Sequence, residues 1–198
     1  MSQMCSQKNP AVFSRVLQMA IMALLVTFSL QVTASVNIDK PLPLVSIQKG
    51  GELVISGKKI KYQSWQSDQL IGKVYMIQHM AGRSSAKALN EPMIDRIKAA
   101  KFDKSKYQTV TVVNTDDATW GTGGIVKGKL EDSKQEFPWS MMVLDKDGVA
   151  KSQWQLEKKS SAIIVVDKAN QVRWMKDGEL REKEQLQVMR LLQQLIME

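Results

Sequence analysis

Three apolar, β-rich runs with helix-forming segments between them constrain the fold of this chain more than any other feature. Residues 73–80, 109–114 and 139–144 are rich in Val, Ile, Met and Thr, as buried strands are. An amphipathic pattern follows the first run, and residues 125–137 form a moderate helix candidate after the second. Strands that are joined through helices run parallel, because the connection must cross over the sheet. We therefore expect a parallel central sheet.

Two hairpins and a closing helix are expected outside this parallel core. The first hairpin pairs residues 52–56 with residues 60–62, with glycines just outside its first strand, and follows an extended arm. The second pairs residues 162–167 with residues 172–175, and Glu182–Met197 is the strongest helix of the chain. The order predicts an α/β fold of the thioredoxin-like kind. It is a three-layer sandwich with a mixed central sheet, helices on both faces and an N-terminal β-hairpin extension.

The segment after the first central strand is expected to form one helix over residues 84–97. Ser84 or Ser85 is placed to be its N-cap, since a serine hydroxyl accepts a hydrogen bond from the first free amides of a helix. Pro92 lies late for a first turn, so a helix start near Asn90 is the alternative.

The N-terminus has the layout of an export signal. Two basic residues precede an apolar run at 16–30, and Ala34 ends a small-residue cleavage site before Ser35. An uncleaved membrane anchor is the alternative, but a spanning helix needs roughly 20 strongly apolar residues. A cytoplasmic regulator is a third interpretation of the chain, and it would require that residues 1–34 are not removed. We expect residues 1–34 to be a cleaved signal peptide, and residues 35–198 to be one domain without a stable membrane span.

Cleavage would change both the cysteine count and the charge. It would remove Cys5, the single cysteine of the sequence, so that the mature chain could form no disulfide and could use no thiol chemistry. The formal charge would fall from +8 to +6, because Lys8 and Arg15 are lost and no acidic residue precedes Asp39. The remaining lysines are scattered among acidic residues, as on a solvated surface, so nucleic acid is not an expected partner.

Short blocks spread over nearly all of residues 35–198 carry a resemblance to a known family. They are Gly72-Lys73-Val74, Gln78-His79, Ala81-Gly82-Arg83, Ser85-Ala86-Lys87, Tyr107-Gln108-Thr109, Val113-Asn114-Thr115-Asp116-Asp117-Ala118, Pro138-Trp139-Ser140, Trp154-Gln155-Leu156, Ser160-Ser161-Ala162 and Lys176-Asp177-Gly178. In this order they resemble the YtfJ family of bacterial periplasmic proteins. The resemblance implies a thioredoxin-like fold and a periplasmic location, and it implies no particular activity.

The sequence departs from the redox members of the wider thioredoxin-like group. Those enzymes place a cysteine pair where the first central strand meets its helix, because a helix start lowers the pKa of a thiol. This chain has Arg83-Ser84-Ser85-Ala86 at that place. Ser161, preceded by Ser160, stands where those enzymes carry a cis-proline that faces the cysteines. We expect the scaffold without thiol-disulfide oxidoreductase or peroxidase activity.

Other chemistry has weaker support in the sequence. A hydrolase or transferase that uses Ser84 or Ser85 with His79 is the alternative function, although no Gly-x-Ser-x-Gly motif surrounds either serine. One histidine and no mature cysteine argue against zinc or copper, and Asp116 and Asp117 belong to no calcium-binding loop. We expect no metal and no cofactor, and we interpret the acidic residues as turn and cap residues.

One edge of the sheet concentrates the remaining candidates. In open α/β sheets, ligands bind where the carboxyl ends of the central strands meet. The residues expected at this edge are Arg83, Ser84, Ser85, Lys87, Asp116, Asp117, Trp120 and Ser161. A cationic helix start with serine hydroxyls suits a carboxylate or a phosphate. The expected function is therefore that of a non-catalytic periplasmic binding protein, whose partner at this edge is a protein, a peptide or a small anionic ligand.

Overall fold

The computed structural model describes residues 35–57 and 59–198, so the expected signal peptide lies outside the described residues. In chain order the elements are β1 (Ser46–Ser56), β2 (Lys59–Gln66), β3 (Val74–Ala81), α1 (Ser84–Leu89), α2 (Glu91–Ala100), β4 (Tyr107–Asn114), α3 (Gly123–Glu136), β5 (Met141–Asp145), α4 (Val149–Trp154), β6 (Ser161–Val166), β7 (Val172–Asp177) and α5 (Glu182–Met197). Within these ranges no helix has the length and hydropathy needed to cross a bilayer.

The seven strands form one mixed sheet in the order β2-β1-β5-β4-β3-β6-β7. β4 pairs in parallel with β3 on one side and with β5 on the other, as the crossover pattern predicts. The hairpins β1-β2 and β6-β7 join this centre through antiparallel pairs of β1 with β5 and of β6 with β3. The expected α/β fold with a mixed sheet is confirmed.

Alternating side chains of the strands divide the core into two layers. On the face that we call the helical face, Val74 and Met76 of β3 pack with Met93 of α2 and Leu192 of α5. Leu130 of α3 packs farther along the same face, in a smaller cluster with residues of β1, β4 and β5. Period-two alternation along each strand therefore supplies the apolar surface on which α2, α3 and α5 lie.

The opposite face, the arm face, is covered by α4 and by the chain that precedes β1. Tyr75 and Ile77 of β3 pack there with Trp154 of α4 and with Val45 of the arm. The Trp154 Nε1–H donates a hydrogen bond of 2.9 Å to the carbonyl oxygen of Pro43. The N-terminal arm is thus part of the core, where the proline-punctuated sequence predicts only an extended segment.

The single helix expected over residues 84–97 is two helices, and the start near Asn90 is the correct alternative. Asn90 is buried at the junction of α1 and α2, and its Oδ1 accepts a hydrogen bond of 3.1 Å from the Leu180 amide. Its Nδ2 lies 3.1 Å from the carbonyl oxygens of Ser161 and Gly178, to which it donates. Pro92 falls in the first turn of α2, where a missing amide costs nothing.

The expectation that Gly50 and Gly51 lie outside the first strand is wrong. Both lie within β1, at an irregularity where the register with β2 shifts between Ile47 and Glu52. Their φ angles are +94° and +81°, which only glycine adopts without strain. The pair forms a bulge that lets one long strand pair with both β2 and β5.

Candidate functional site

The edge where the central strands end is closed by main-chain contacts between neighbouring loops. The Gly82 amide, just after β3, donates a hydrogen bond of 2.8 Å to the Asn114 carbonyl at the end of β4. The Thr115 amide donates to the Asp145 carbonyl at the end of β5, at 2.9 Å. A methyl group on Gly82 would lie 3.1 Å from the Asn114 carbonyl oxygen, so the chain passes close here. The loops that follow β3 and β4 are therefore held together, as expected for parallel strands.

Arg83 is tied into this edge by Asp117. Its Nε–H and Nη2–H donate to the main-chain carbonyl of Asp117 at 3.0 and 2.8 Å, and Nη2 lies 3.6 Å from the Asp117 carboxylate. The two side chains are 20% and 10% exposed. The other carboxylate oxygen of Asp117 accepts a hydrogen bond from the Lys159 amide. Arg83 and Asp117 therefore join three loops, and their first role is structural.

The loop after β4 takes its shape from Asn114. The Asn114 Oδ1 accepts hydrogen bonds from the amides of Asp116 and Asp117, at 2.9 and 3.3 Å, which is an Asx turn. The exposed Asp116 carboxylate lies 3.6 Å from Nζ of Lys151 on α4. In the part of the chain that the structure describes, no group of three or more acidic or histidine side chains is placed to hold a metal ion.

The serines of α1 do not have the expected capping role. Arg83 occupies the N-cap position, no side chain caps the helix, and the prediction that Ser84 or Ser85 is the N-cap is wrong. Both serines are exposed in the first turn of α1. Lys87 is also exposed and lies 3.7 Å from Glu91. α1 is a single short helix of six residues, so its dipole adds little to anion binding.

Trp120 and Ser161, the other two expected edge residues, differ completely in exposure. Trp120 is 98% exposed on the loop before α3. Ser161 is fully buried at the start of β6, and its Oγ accepts a hydrogen bond of 3.1 Å from Nδ2 of Asn90. The described chain has no cis peptide bond, so the strand start at Ser161 lacks the feature that faces the cysteines in redox members of the fold.

The edge opens into a pocket of about 250 Å³ between α1 and α3, which we call the edge pocket. Its walls are apolar and include Met80, Val113 and Val126. Arg83, Lys87 and Lys129 also line it, and none of the described residues that line it is acidic. The volume is slightly below the usual range for drug-sized ligands, and it suits a small molecule.

Sequence reasoning missed the contribution of α3 to this pocket. Val126 and Leu130 are spaced four apart and predict a helix face, and both line the pocket together with Lys129. The pattern identifies the inward face but does not say which neighbouring helix it meets. Lys129 could not be assigned to the edge from its position in the sequence.

A polar layer lies under α4 on the arm face, at the same end of the sheet. His79, Asn114 and Asp145 are all buried there, and both Asp145 carboxylate oxygens accept hydrogen bonds, from the Val149 and Ala150 amides at 3.0 and 2.8 Å. Burial raises the pKa of the Asp145 carboxyl in spite of these bonds. Asp145 thus orders the turn into α4.

His79 is not placed to activate a serine. Its ring is 2% exposed, its Nε2 has no hydrogen-bond partner among the described residues, and burial lowers its pKa to about 4. The exposed Ser84 and Ser85 are in solvent at the start of α1, whereas His79 is enclosed under the arm face. A general base must come within hydrogen-bond reach of its nucleophile, so this geometry does not support the hydrolase alternative.

Comparison with known proteins places this geometry in context. Residues 36–195 match the family model YtfJ_HI0045, described as a bacterial protein of unknown function. An uncharacterized protein YtfJ of Escherichia coli is 48% identical over 155 residues, which cover 78% of this chain and 84% of that protein. An uncharacterized protein of Haemophilus influenzae is 45% identical over 150 residues, which cover 76% and 82%.

Solved structures show the same fold at low identity. The thioredoxin domain of a thiol-disulfide oxidoreductase from Bacteroides vulgatus matches with a TM-score of 0.53 and 16% identity, over 79% of this chain and 98% of that chain. A thioredoxin-like superfamily protein matches with a TM-score of 0.54 and 17% identity, over 80% and 97%. The fold is therefore thioredoxin-like. The family match extends through all the described strands and helices except the end of α5, and this chain belongs to the YtfJ family.

Proposed function

We propose that this protein is a non-catalytic binding protein of the periplasm, and that it holds a small organic anion in the edge pocket. The observation that carries the proposal is the composition of that pocket. Three cationic side chains and an apolar wall enclose about 250 Å³, and the described lining contains no carboxylate to neutralise them. A ligand with one anionic group and a short apolar body complements both features.

The three cationic side chains of the edge pocket differ in how strongly other residues already pair with them. Arg83 is committed to Asp117, whereas Lys87 has only a long, exposed ion pair with Glu91, which contributes little. Lys129 lies on α3 and has no ion pair among those that the structure shows. We therefore propose that Lys87 and Lys129 bind the anionic group of the ligand. Arg83 holds the loop after β4 in place through Asp117.

A binding role agrees with what the edge lacks. Residues 35–198 contain no cysteine, and Arg83, Ser84, Ser85 and Ala86 occupy the turn where redox members of the fold carry their thiols. His79, the histidine that could have served a serine there as a base, is buried in the core. The export-signal layout of residues 1–34 supports a periplasmic location for this role.

The test is a titration of the isotopically labelled protein with sodium hexanoate, followed by amide chemical shifts. We expect saturable shifts at Gly82 and Val126, which border the edge pocket, and a Kd about tenfold weaker for Lys87→Ala/Lys129→Ala. Hexylamine and hexanol serve as matched probes with the same chain and no anionic group.

The control variant is Lys158→Ala/Lys183→Ala, which removes two exposed lysines outside the pocket. It should bind hexanoate as the parent protein does. Shifts confined to other surfaces, or equal affinity for hexanoate and hexylamine, would refute the edge pocket as an anion site.

A further inference from the structure

A long groove crosses the helical face between α2 and α3, beyond the edge pocket. It encloses about 820 Å³, and its floor includes Thr109 and Thr111 of β4. Both threonines are only half-buried, although β4 is the middle strand of the seven. α2 and α3 therefore lie apart over the centre of the sheet and leave part of it open.

The floor is suited to a ligand rather than to a packed helix. β4 is paired with β3 along its length and with β5 from Val110 to Asn114, so most main-chain groups of the floor are already hydrogen-bonded within the sheet. Thr109 and Thr111 line the floor, where the Thr109 hydroxyl shares a hydrogen bond of 3.0 Å with the Tyr107 hydroxyl, while Val110 and Val112 point into the core of the arm face. A hydroxyl both donates and accepts, which suits the alternating amides and carbonyls of an extended peptide.

The walls supply apolar and aromatic surface on both sides. Ile94 and Phe102 line the groove on the α2 side, and Phe137 and Trp139 line it after α3. Trp139 is half exposed. Such side chains anchor the apolar residues of a bound segment, because they bury much area at a small loss of conformational entropy.

The rim of the groove is strongly cationic. Five lysines and a single acidic residue, Glu136, belong to its described lining. Lys98 lies 5.2 Å from the centre of the Phe137 ring, and Lys104 lies 3.4 Å from that of Trp139. These two lysines reach across the groove to aromatic rings. Cation–π contacts of exposed lysines contribute only about 0.5–1 kcal/mol, so they are readily exchanged for a carboxylate.

From this arrangement we infer that the groove binds an extended acidic segment of a partner polypeptide. The excess of lysines in the lining selects a negatively charged ligand. The open floor combines threonine hydroxyls with apolar walls, which favours a chain with alternating carboxylate and apolar side chains. No arginine is present in the described lining, whereas phosphate recognition favours the bidentate guanidinium group. The described lining therefore lacks the residue most typical of nucleic-acid sites, and the acidic peptide is preferred to a nucleic acid.

The peptide site in the groove is additional to the anion site proposed in the edge pocket, and the inference does not depend on that site. The groove and the edge pocket share Met80, Lys87, Leu130 and Ser133, so a segment in the groove would end beside the pocket. Lys98, Lys104 and Trp139 line the groove alone. Substitutions at these positions therefore separate the two sites.

The test measures fluorescence anisotropy of a rhodamine-labelled peptide of about ten residues, in which Glu alternates with Val and Thr. Extended, it would span about 33 Å. We expect Lys98→Ala/Lys104→Ala to weaken its Kd about tenfold, and Lys158→Ala/Lys183→Ala, which removes the same charge elsewhere, to change it less than about twofold. The Lys158→Ala/Lys183→Ala variant should melt with the parent protein, and Lys98→Ala/Lys104→Ala should melt within a few degrees of it, because all four lysines are exposed and the two cation–π contacts contribute little.

Two further probes test whether the ligand must be acidic and whether a peptide binds better than a nucleic acid. A peptide with Gln in place of Glu should bind much more weakly, and an oligothymidylate of ten nucleotides should bind more weakly than the acidic peptide. Equal losses in both double variants, or equal binding of the Gln peptide, would overturn the inference. Tighter binding of the oligothymidylate would overturn it in favour of single-stranded nucleic acid. The hexanoate titration of the Lys98→Ala/Lys104→Ala variant should be unchanged, so failure of either site is recognised separately.

Discussion

His79 lies near the end of β3, and its surroundings change its acid–base behaviour. Its ring packs under the arm face, where the charged groups that act on it are Asp177, Lys151 and Asp117. Burial is the largest influence and lowers its pKa from 6.5 to about 4, because the protonated ring would lose its hydration. At neutral pH the ring is therefore neutral and serves as a core residue.

This burial predicts a loss of stability in mild acid. The unfolded chain takes up the His79 proton near pH 6.5, whereas the folded chain takes it up only near pH 4, so the free energy of unfolding falls between these values. The shift corresponds to about 3 kcal/mol. His79→Leu should flatten this part of the profile, as measured by urea unfolding from pH 7.5 to pH 4.

The comparison of the two profiles isolates His79 from other groups. The raised pKa of Asp145 acts in the opposite direction, stabilising the fold as pH falls, and it is present in both proteins. Parallel profiles for the parent protein and the variant would contradict the prediction.

At the scale of elements, the long strand β1 depends on its internal glycines. A Cβ at Gly51 would lie 2.0 Å from the carbonyl oxygen of Gln63, and a Cβ at Gly50 would lie 2.2 Å from that of Leu144. Main-chain atoms of β2 and β5 therefore press on the bulge from both sides. The bulge positions β1 between its two partners and so connects the hairpin to the central sheet.

We predict that Gly51→Ala lowers the free energy of unfolding by about 3 kcal/mol or more, since it adds a main-chain clash to the roughly 1–2 kcal/mol cost of a positive φ angle. Gly57→Ala is the matched control, because Gly57 also has a positive φ angle, +62°, but no atom lies within 4 Å of its Cβ position. Its cost should stay at about 1–2 kcal/mol. Equal decreases in the free energy of urea unfolding for the two variants would contradict the prediction, and would show that movement of β2 relieves the close approach at Gly51.

At the scale of the whole molecule, one sheet carries the edge pocket and the groove side by side on its helical face. α2 and α3 belong to successive crossovers, β3 to β4 and β4 to β5, and both lie on this face. The space between them over β4 is the groove, and its end near α1 opens at the edge pocket. The expected binding function therefore has more surface available than the strand ends alone.

Export is the other property of the whole molecule that can be tested. We predict that expression of the full chain in a bacterium yields periplasmic protein that begins at Ser35, because Ala34 ends the small-residue cleavage site. Intact mass spectrometry of the periplasmic fraction measures this directly. A mass that includes residues 1–34, or recovery only from the cytoplasm, would contradict both the cleavage and the proposed location.

The order and type of most elements follow from local sequence patterns. Period-two and period-3.6 patterns mark which side chains can share a face, and the alternation of strands with helices leaves few topologies, so the mixed thioredoxin-like sheet could be predicted. The sequence also shows Arg83-Ser84-Ser85-Ala86 and Ser161 at the positions where redox members of the fold are expected to carry the cysteine pair and the cis-proline. α4 and the bulge in β1 escaped prediction, since a six-residue helix and a glycine pair carry too little pattern.

The tertiary fold was needed to show which contacts the candidate residues make. It placed Ser161 in the core, bound Arg83 to Asp117, and brought Lys129 to the edge and Lys104 to the groove. Hydrogen bonds and electrostatic interactions depend on distances in space, and these distances often join residues that are far apart in the chain. Local patterns fix which way a side chain faces on its own element, but the packing of elements fixes which other side chain it meets.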